Sequence, residues 1–383
     1  MRKKFFIISG MSLKDNNRGT AALGYGAFSF LLERGFVTEG MELLEIKYND
    51  SLFRKDEVCE KISIQGSVWN KRTVYVSLNV SRIQRHLGIV LPFTKLARIQ
   101  RQVAFVAAIN GGDGFSDIYN TNSFRDRLAD TILAMSGNVP LIQLPQTLGP
   151  FSKPENYELA KRILQYSQHV YIRDTKYVSE LEKMGVKYEI TKDLSAYMQP
   201  EEWNIDIAPG SIGINVSGLA YSNNFRALSG QFDAYPELIE KIITHFQTKN
   251  KTIYLIPHSY NYNKPEVSND DLEASKAVYN SLIDKTNVVI IDKDLISPQI
   301  KYLISKMSFF IGTRMHANFA AIYTHVPVFG LAYSYKFEGA FEANGLSKDQ
   351  TCLINNINNS DIEKIIKKID SLYTQNLPSL ISE

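Results

Sequence analysis

Arg314 and His316 stand two residues apart in Gly312-Thr313-Arg314-Met315-His316. That spacing brings a planar, permanently charged guanidinium and an imidazole within reach of one anion. Arginine suits a bidentate grip on carboxylate or phosphate. Histidine either donates to the same anion or moves a proton near neutral pH. The alternative is local duty, with both side chains capping carbonyls or pairing with nearby carboxylates. Two further segments, Ser217-Gly218 and Pro257-His258-Ser259, likewise follow short apolar runs. Glycine at a strand end lets backbone N–H groups approach an anion, and the helix N-terminus that follows favours negative charge. Arg314, His316, Gly218, His258 and Ser259 therefore form the candidate anion-binding set. His258 suits a core or supporting position as well.

The first half of the chain has its own candidates. Arg173 precedes Asp174 after a short apolar run, so it is either one half of a local ion pair or an anion ligand facing Arg314 across a domain cleft. In Asn110-Gly111-Gly112-Asp113-Gly114-Phe115-Ser116-Asp117, the carboxylates of Asp113 and Asp117 are placed to accept from sugar hydroxyls or to act as a base. Asp after Gly also serves in turns and helix caps. No HExxH, cysteine–histidine set or GxxxxGK[ST] loop occurs, so no metal is expected.

These residues need elements to hold them. Apolar runs at 5–9, 43–48, 73–78, 103–109, 140–144 and 169–172 read as strands, and 20–32, 125–136, 156–167 and 175–184 as helices. The polar stretch 199–210, with Pro200, Trp203 and Pro209, reads as a linker, with 201–208 as its central part. The pattern then restarts. Strands are expected at 211–216, 252–256, 288–291, 308–311 and 326–331, and helices at 235–248, 272–284, 298–306, 316–324 and 362–373. Alternating strands and helices predict α/β architecture, with two Rossmann-like doubly wound domains at 1–200 and 209–383. Ligands bind such sheets outside the carboxyl ends of the strands, where the candidate residues fall.

Bulk properties bound the function. At 383 residues the chain exceeds a single typical core, and 44% apolar with 22% charged residues is ordinary for a globular protein. Two distant cysteines, Cys59 and Cys352, fit a reducing compartment, hence a cytoplasmic location. The run after Met1-Arg2-Lys3-Lys4 is too short for a signal peptide and reads as a first strand. Between Lys61 and Gly112 there are eight Lys or Arg and no Asp or Glu. The apolar residues Ile83, Leu87, Ile89 and Phe93 are interleaved with Arg82, Arg85, Lys95, Arg98 and Arg101. Such a segment is either a solvated helix face or a contact for an anionic bilayer, which would place the protein peripherally at the inner face of the plasma membrane. No nucleic-acid partner is expected.

Taken in order, several blocks resemble the polysaccharide pyruvyl transferase family. They are Gly111-Gly112-Asp113-Gly114, Leu144-Pro145-Gln146-Thr147-Leu148-Gly149-Pro150-Phe151, Tyr171-Ile172-Arg173-Asp174, Ile311-Gly312-Thr313-Arg314-Met315-His316-Ala317, Val326-Pro327-Val328 and Ala332-Tyr333-Ser334-Tyr335-Lys336. The resemblance runs from about residue 5 to residue 346. It implies a glycosyltransferase-B-like fold. The implied reaction moves the enolpyruvyl part of phosphoenolpyruvate onto a sugar as a pyruvate ketal, releasing phosphate. Phosphoenolpyruvate is then a co-substrate, with no separate cofactor. Arg314, His316 and Arg173 would face the donor, and Asp113 or Asp117 the acceptor, with His316 as a candidate proton donor. The acceptor would be a hexose, galactose-like, on a polyprenyl-diphosphate-linked capsule or exopolysaccharide precursor. Asn17-Arg18-Gly19-Thr20 departs from the family's Asn-x-Gly-Asp by lacking the acid, which weakens any acceptor role there. Two other readings fit the same residues: a nucleotide-sugar glycosyltransferase of the same fold, and a non-catalytic carbohydrate or lipid-carrier binding protein.

Overall fold

The computed structural model describes residues 4–49, 57–118, 121–333 and 336–380. They divide into two compact units, one of residues 1–12 and 23–198, the other of residues 13–22 and 199–383. The chain passes from one unit to the other between Met198 and Gln199. Segment 13–22 does not follow the expected single division, because its backbone is bonded to the second unit. Asn17 bridges Ser259, and the Arg18 amide donates to the His258 carbonyl at 2.9 Å.

The first unit runs β1 (Phe5–Ser9), α1 (Arg18–Glu33), β2 (Glu42–Tyr48), β3 (Glu57–Ile64), β4 (Ser67–Val76), α2 (Leu78–Leu87), α3 (Lys95–Gln100), β5 (Val103–Ala108), α4 (Thr121–Arg127), α5 (Ala129–Ser136), β6 (Leu141–Gln146), α6 (Pro154–Tyr166), β7 (His169–Ile172), α7 (Val178–Lys183) and β8 (Glu189–Ile190). Its sheet has the order β3-β4-β2-β1-β5-β6-β7-β8. All pairs are parallel except the edge hairpin β3–β4. That hairpin adds one antiparallel edge to the doubly wound sheet. Gln65 and Gly66 both take positive φ (52° and 76°), the turn that closes a two-residue hairpin. Leu78, expected at a strand end, instead opens α2, because the Ser77 side chain accepts from the Val80 amide and caps it. The expected helix 125–136 is two helices, broken at Leu128, whose backbone leaves the helical region. β1 and β6 are buried along their whole lengths, as strands covered on both faces must be.

The second unit runs β9 (Ile212–Asn215), α8 (Gly218–Ser222), α9 (Tyr235–Thr248), β10 (Ile253–Leu255), α10 (Asp271–Ser281), β11 (Val288–Ile290), α11 (Ser297–Ser305), β12 (Phe309–Gly312), α12 (Met315–Ile322), β13 (Val328–Ala332), α13 (Lys336–Ala343), β14 (Thr351–Leu353) and α14 (Asn359–Leu380). Its sheet is wholly parallel, in the order β11-β10-β9-β12-β13-β14. Two apolar clusters cover its faces. One holds Ile214, Ile242, Phe246, Phe309 and Tyr373, the other Ile256, Leu303, Phe310, Ala317 and Phe341. This doubly wound order brings the ends of β9, β10 and β12 side by side.

Candidate active site

Three strand ends of the second unit converge on one buried side chain, Asp271. It is the first residue of α10, and its neighbour Asp270 caps that helix by accepting from the Leu272 and Glu273 amides. Asp271 Oδ1 accepts from the Gly218 amide at 2.9 Å and from Arg314 Nη2 and Nε at 2.7 and 3.1 Å. Oδ2 accepts from the His258 and Ser259 amides at 3.1 and 2.9 Å and from Asn215 Nδ2 at 3.1 Å. The anion-binding set expected from the sequence is therefore assembled, but its amides hold the protein's own carboxylate. The backbone amides of Gly218, His258 and Ser259 form the cradle of Asp271. A Cβ on Gly218 would lie 2.4 Å from Asp270 backbone atoms, so only glycine fits that approach.

Arg314 is thus both an ion-pair partner and a rigid, oriented guanidinium. Nη2 also donates to Asn269 Oδ1 at 2.7 Å, and the Arg314 amide donates to Asn215 Oδ1 at 2.9 Å. Burial works against its charge, but Asp271 and neighbouring Tyr333 outweigh that and raise its pKa further. Among the described residues no hydrogen bond involves Nη1, so one edge of the fork is uncommitted. The His258 imidazole is held neutral, its pKa well below the usual value, first by burial and then by the charges of His316, Arg314 and Arg18.

His316 sits in the first turn of α12 and is half-buried. Its ring lies against Gly19, where a Cβ would fall 2.7 Å from His316 Nδ1 and 2.9 Å from its Cβ. Gly19 is presented by Asn17, whose Oδ1 accepts the Gly19 amide at 3.0 Å and caps α1. Arg18 fastens this turn. Nε donates to the Leu295 carbonyl at 2.7 Å, Nη1 to the Asp15 and Asn16 carbonyls at 2.7 and 3.1 Å, and Nη2 to Asp294 at 2.9 Å. Its guanidinium also stacks 4.4 Å from the Tyr260 ring. Ser297 Oγ donates to the Arg18 carbonyl at 2.7 Å. Sequence reasoning set Asn17-Arg18-Gly19 aside for lacking an acid, and it missed Asp271 altogether. The available signals were the Asn-x-Gly turn before a helix and the acidic Asn269-Asp270-Asp271 run opening another.

At the sheet edge of the first unit, Arg173 repeats the arrangement. Nη1 donates to the buried Asp193 at 2.7 Å and Nε to Thr147 Oγ1 at 3.2 Å. Burial opposes its charge, and Asp193, Asp174 and Asp113 together raise its pKa. Asp113 is half-buried beside it. Asp117 is different. Its carboxylate accepts from the Ser152 amide at 2.8 Å, Ser152 Oγ at 3.0 Å, the Lys153 amide at 3.1 Å and Asn156 Nδ2 at 2.9 Å. Burial alone would raise its pKa, but these bonds from Asn156, Ser152 and Lys153 outweigh it and lower it. A carboxylate so engaged is a poor base, and Asp117 ties Ser152 and Lys153, which lead into α6, to Asn156 in its first turn. Ser334 and Tyr335 of the resemblance lie outside the described residues.

Two doubly wound α/β units in one chain are the marks of a glycosyltransferase-B-like fold. The solved structures agree in fold. UDP-GlcNAc 2-epimerase from Methanocaldococcus jannaschii superposes with TM-score 0.57 at 13% identity, covering 96% of this chain and 92% of the other. A putative UDP-N-acetylglucosamine 2-epimerase from Listeria monocytogenes gives 0.54 at 12%, covering 98% and 88%. S. aureus MnaA, solved with UDP, gives 0.51 at 14%, covering 98% and 90%. No curated protein matches the sequence. The polysaccharide pyruvyl transferase model matches residues 17–335, most of the chain, and the protein belongs to that family. It is a pyruvyl transferase of polysaccharide biosynthesis.

Proposed function

We propose that the donor is phosphoenolpyruvate and that it binds at the strand ends of the second unit, against His316 and the uncommitted edge of Arg314. The observation that carries this reading is the Asp271–Arg314 pair beside His316. The pair cancels its own net charge, so the guanidinium offers oriented donors rather than a bare charge, and donors already in position stabilise charge as it develops. In the reaction, a proton adds to the donor methylene, with His316 as its source. The central carbon becomes cationic, and a sugar hydroxyl attacks it. The bond to the phosphate oxygen breaks, and a second hydroxyl closes the ketal. Of the two protons the diol gives up, one balances the new methyl group and the other leaves with phosphate. In the first unit Asp113 is the proposed base toward the acceptor, and Arg173 is that unit's candidate ligand for anionic groups. The acceptor we propose is a galactose-like hexose on a polyprenyl-diphosphate-linked capsule or exopolysaccharide precursor, met at the cytoplasmic side of the membrane.

The test is phosphate release from phosphoenolpyruvate in the presence of nitrophenyl or lipid-linked galactosides and glucosides, with products weighed by mass spectrometry. Release accompanied by a pyruvyl mass gain on one sugar is the expected result. The fold neighbours named for UDP-sugars supply the competing donor class. Tight UDP binding with no phosphate release from phosphoenolpyruvate would overturn the proposal. The occupation of the Gly218 amide by Asp271 argues against a diphosphate at that amide.

A further inference from the structure

Helix α2 is built inside out. Its buried positions are polar: Ser81 and Gln84 are fully buried. Gln84 Nε2 donates to Gln100 Oε1 at 2.9 Å and to Ser136 Oγ at 3.0 Å. Its exposed positions are Asn79, Arg82 and His86 together with two large apolar residues one turn apart, Ile83 and Leu87. Ile83 is 50% and Leu87 54% exposed, and in the loop that follows Ile89 is 55% and Phe93 94% exposed. Soluble helices place their apolar stripe toward the core, so a reversed stripe needs another apolar phase. Four large apolar side chains within eleven positions of one another form a patch rather than scattered singles.

The surrounding charge specifies that phase. Arg82, His86, Arg98 and Arg101 are exposed around the patch, Arg85 and Lys95 are half-buried, and no acidic residue lies between Lys61 and Gly112. Apolar side chains interleaved with arginines and a lysine complement a bilayer whose interior is apolar and whose headgroups are anionic. We infer that the α2–α3 face, with Phe93 at its tip, is a docking surface for anionic phospholipid. The protein lies on the membrane through this face. This inference does not depend on the reaction proposed above.

The experiment is flotation of the full chain with phosphatidylcholine vesicles, with and without phosphatidylglycerol. Binding is expected to the anionic vesicles only and to weaken as salt rises. The Ile89→Ser/Phe93→Ser variant and the Arg98→Gln/Arg101→Gln variant should each lower vesicle partition about tenfold or more. Because all four residues are exposed, both variants should keep the wild-type melting temperature and wild-type turnover of a water-soluble acceptor. Three results would overturn the inference: no partition of the wild type, partition unchanged in both variants, or a wild-type dimer in solution that the Ile89→Ser/Phe93→Ser variant dissociates. The last would assign the patch to a second copy of this chain.

Discussion

Gly19 lies under the imidazole of His316, so close that a single added carbon would stand 2.7 Å from Nδ1. The glycine is in the first turn of α1, where alanine would ordinarily be the better helix former by ~1 kcal/mol. Here that preference is reversed by the ring.

Gly19→Ala should therefore leave the protein folded while displacing His316. Turnover is expected to fall about tenfold or more, as ~1.4 kcal/mol at the barrier would produce. Steady-state kinetics beside a melting curve checks this. Normal kcat in a variant of normal stability would remove His316 from the reaction.

Arg314 and Asp271 should behave as one unit in stability. Removing the guanidinium by Arg314→Ala leaves a carboxylate with no exposure inside the fold, and a stability loss of about 3–5 kcal/mol is expected. Arg314→Lys keeps the charge but loses the fork, and should cost less stability than activity. Chemical denaturation of both variants, compared with their kcat/KM, separates the two effects.

Asp117→Asn should destabilise by about 1–3 kcal/mol with little change in turnover per folded molecule. The folded pKa of Asp117 is depressed, so its contribution is present above the unfolded carboxylate value. It is lost as pH falls below about 4 through the folded value. Denaturation of wild type and variant should thus converge in acid. A variant that loses catalysis while keeping stability would instead return Asp117 to the acceptor site.

His258 predicts a second acid dependence, in a different range. Its folded pKa lies well below the unfolded value, so the unfolded chain takes up a proton that the native protein refuses. Stability should fall as pH drops below about 6.5 and level off once the folded value is passed. His258→Asn should flatten that slope, as measured by denaturation midpoints across the range.

The sequence displayed the strand ends but not what occupies them. Periodicity located β7 and α9 to the residue, because a buried strand and an amphipathic helix write their geometry into the spacing of apolar residues. β3, and with it the hairpin to β4, escaped because Glu57, Glu60 and Lys61 break up its apolar residues along an exposed edge. Arg314, His316 and Arg173 were correctly placed after strands. Their counter-charges, Asp271 and Asp193, were not seen, since partners separated by 43 and 20 positions are fixed only by the folded sheet. Gly218, His258 and Ser259 show the same limit. Backbone amides at a strand end accept any carboxylate of suitable geometry, and nothing local distinguishes a ligand from an aspartate of the chain itself.

Segment 13–22 has a consequence for biosynthesis. It is translated before any other part of the unit it belongs to. The nascent chain must carry Arg18 without its long-range partners until Tyr260 and Leu295 leave the ribosome, so this unit closes last and over a long loop. The turn that seats His316 is then among the final contacts made, and its closure reports that synthesis has passed Leu295.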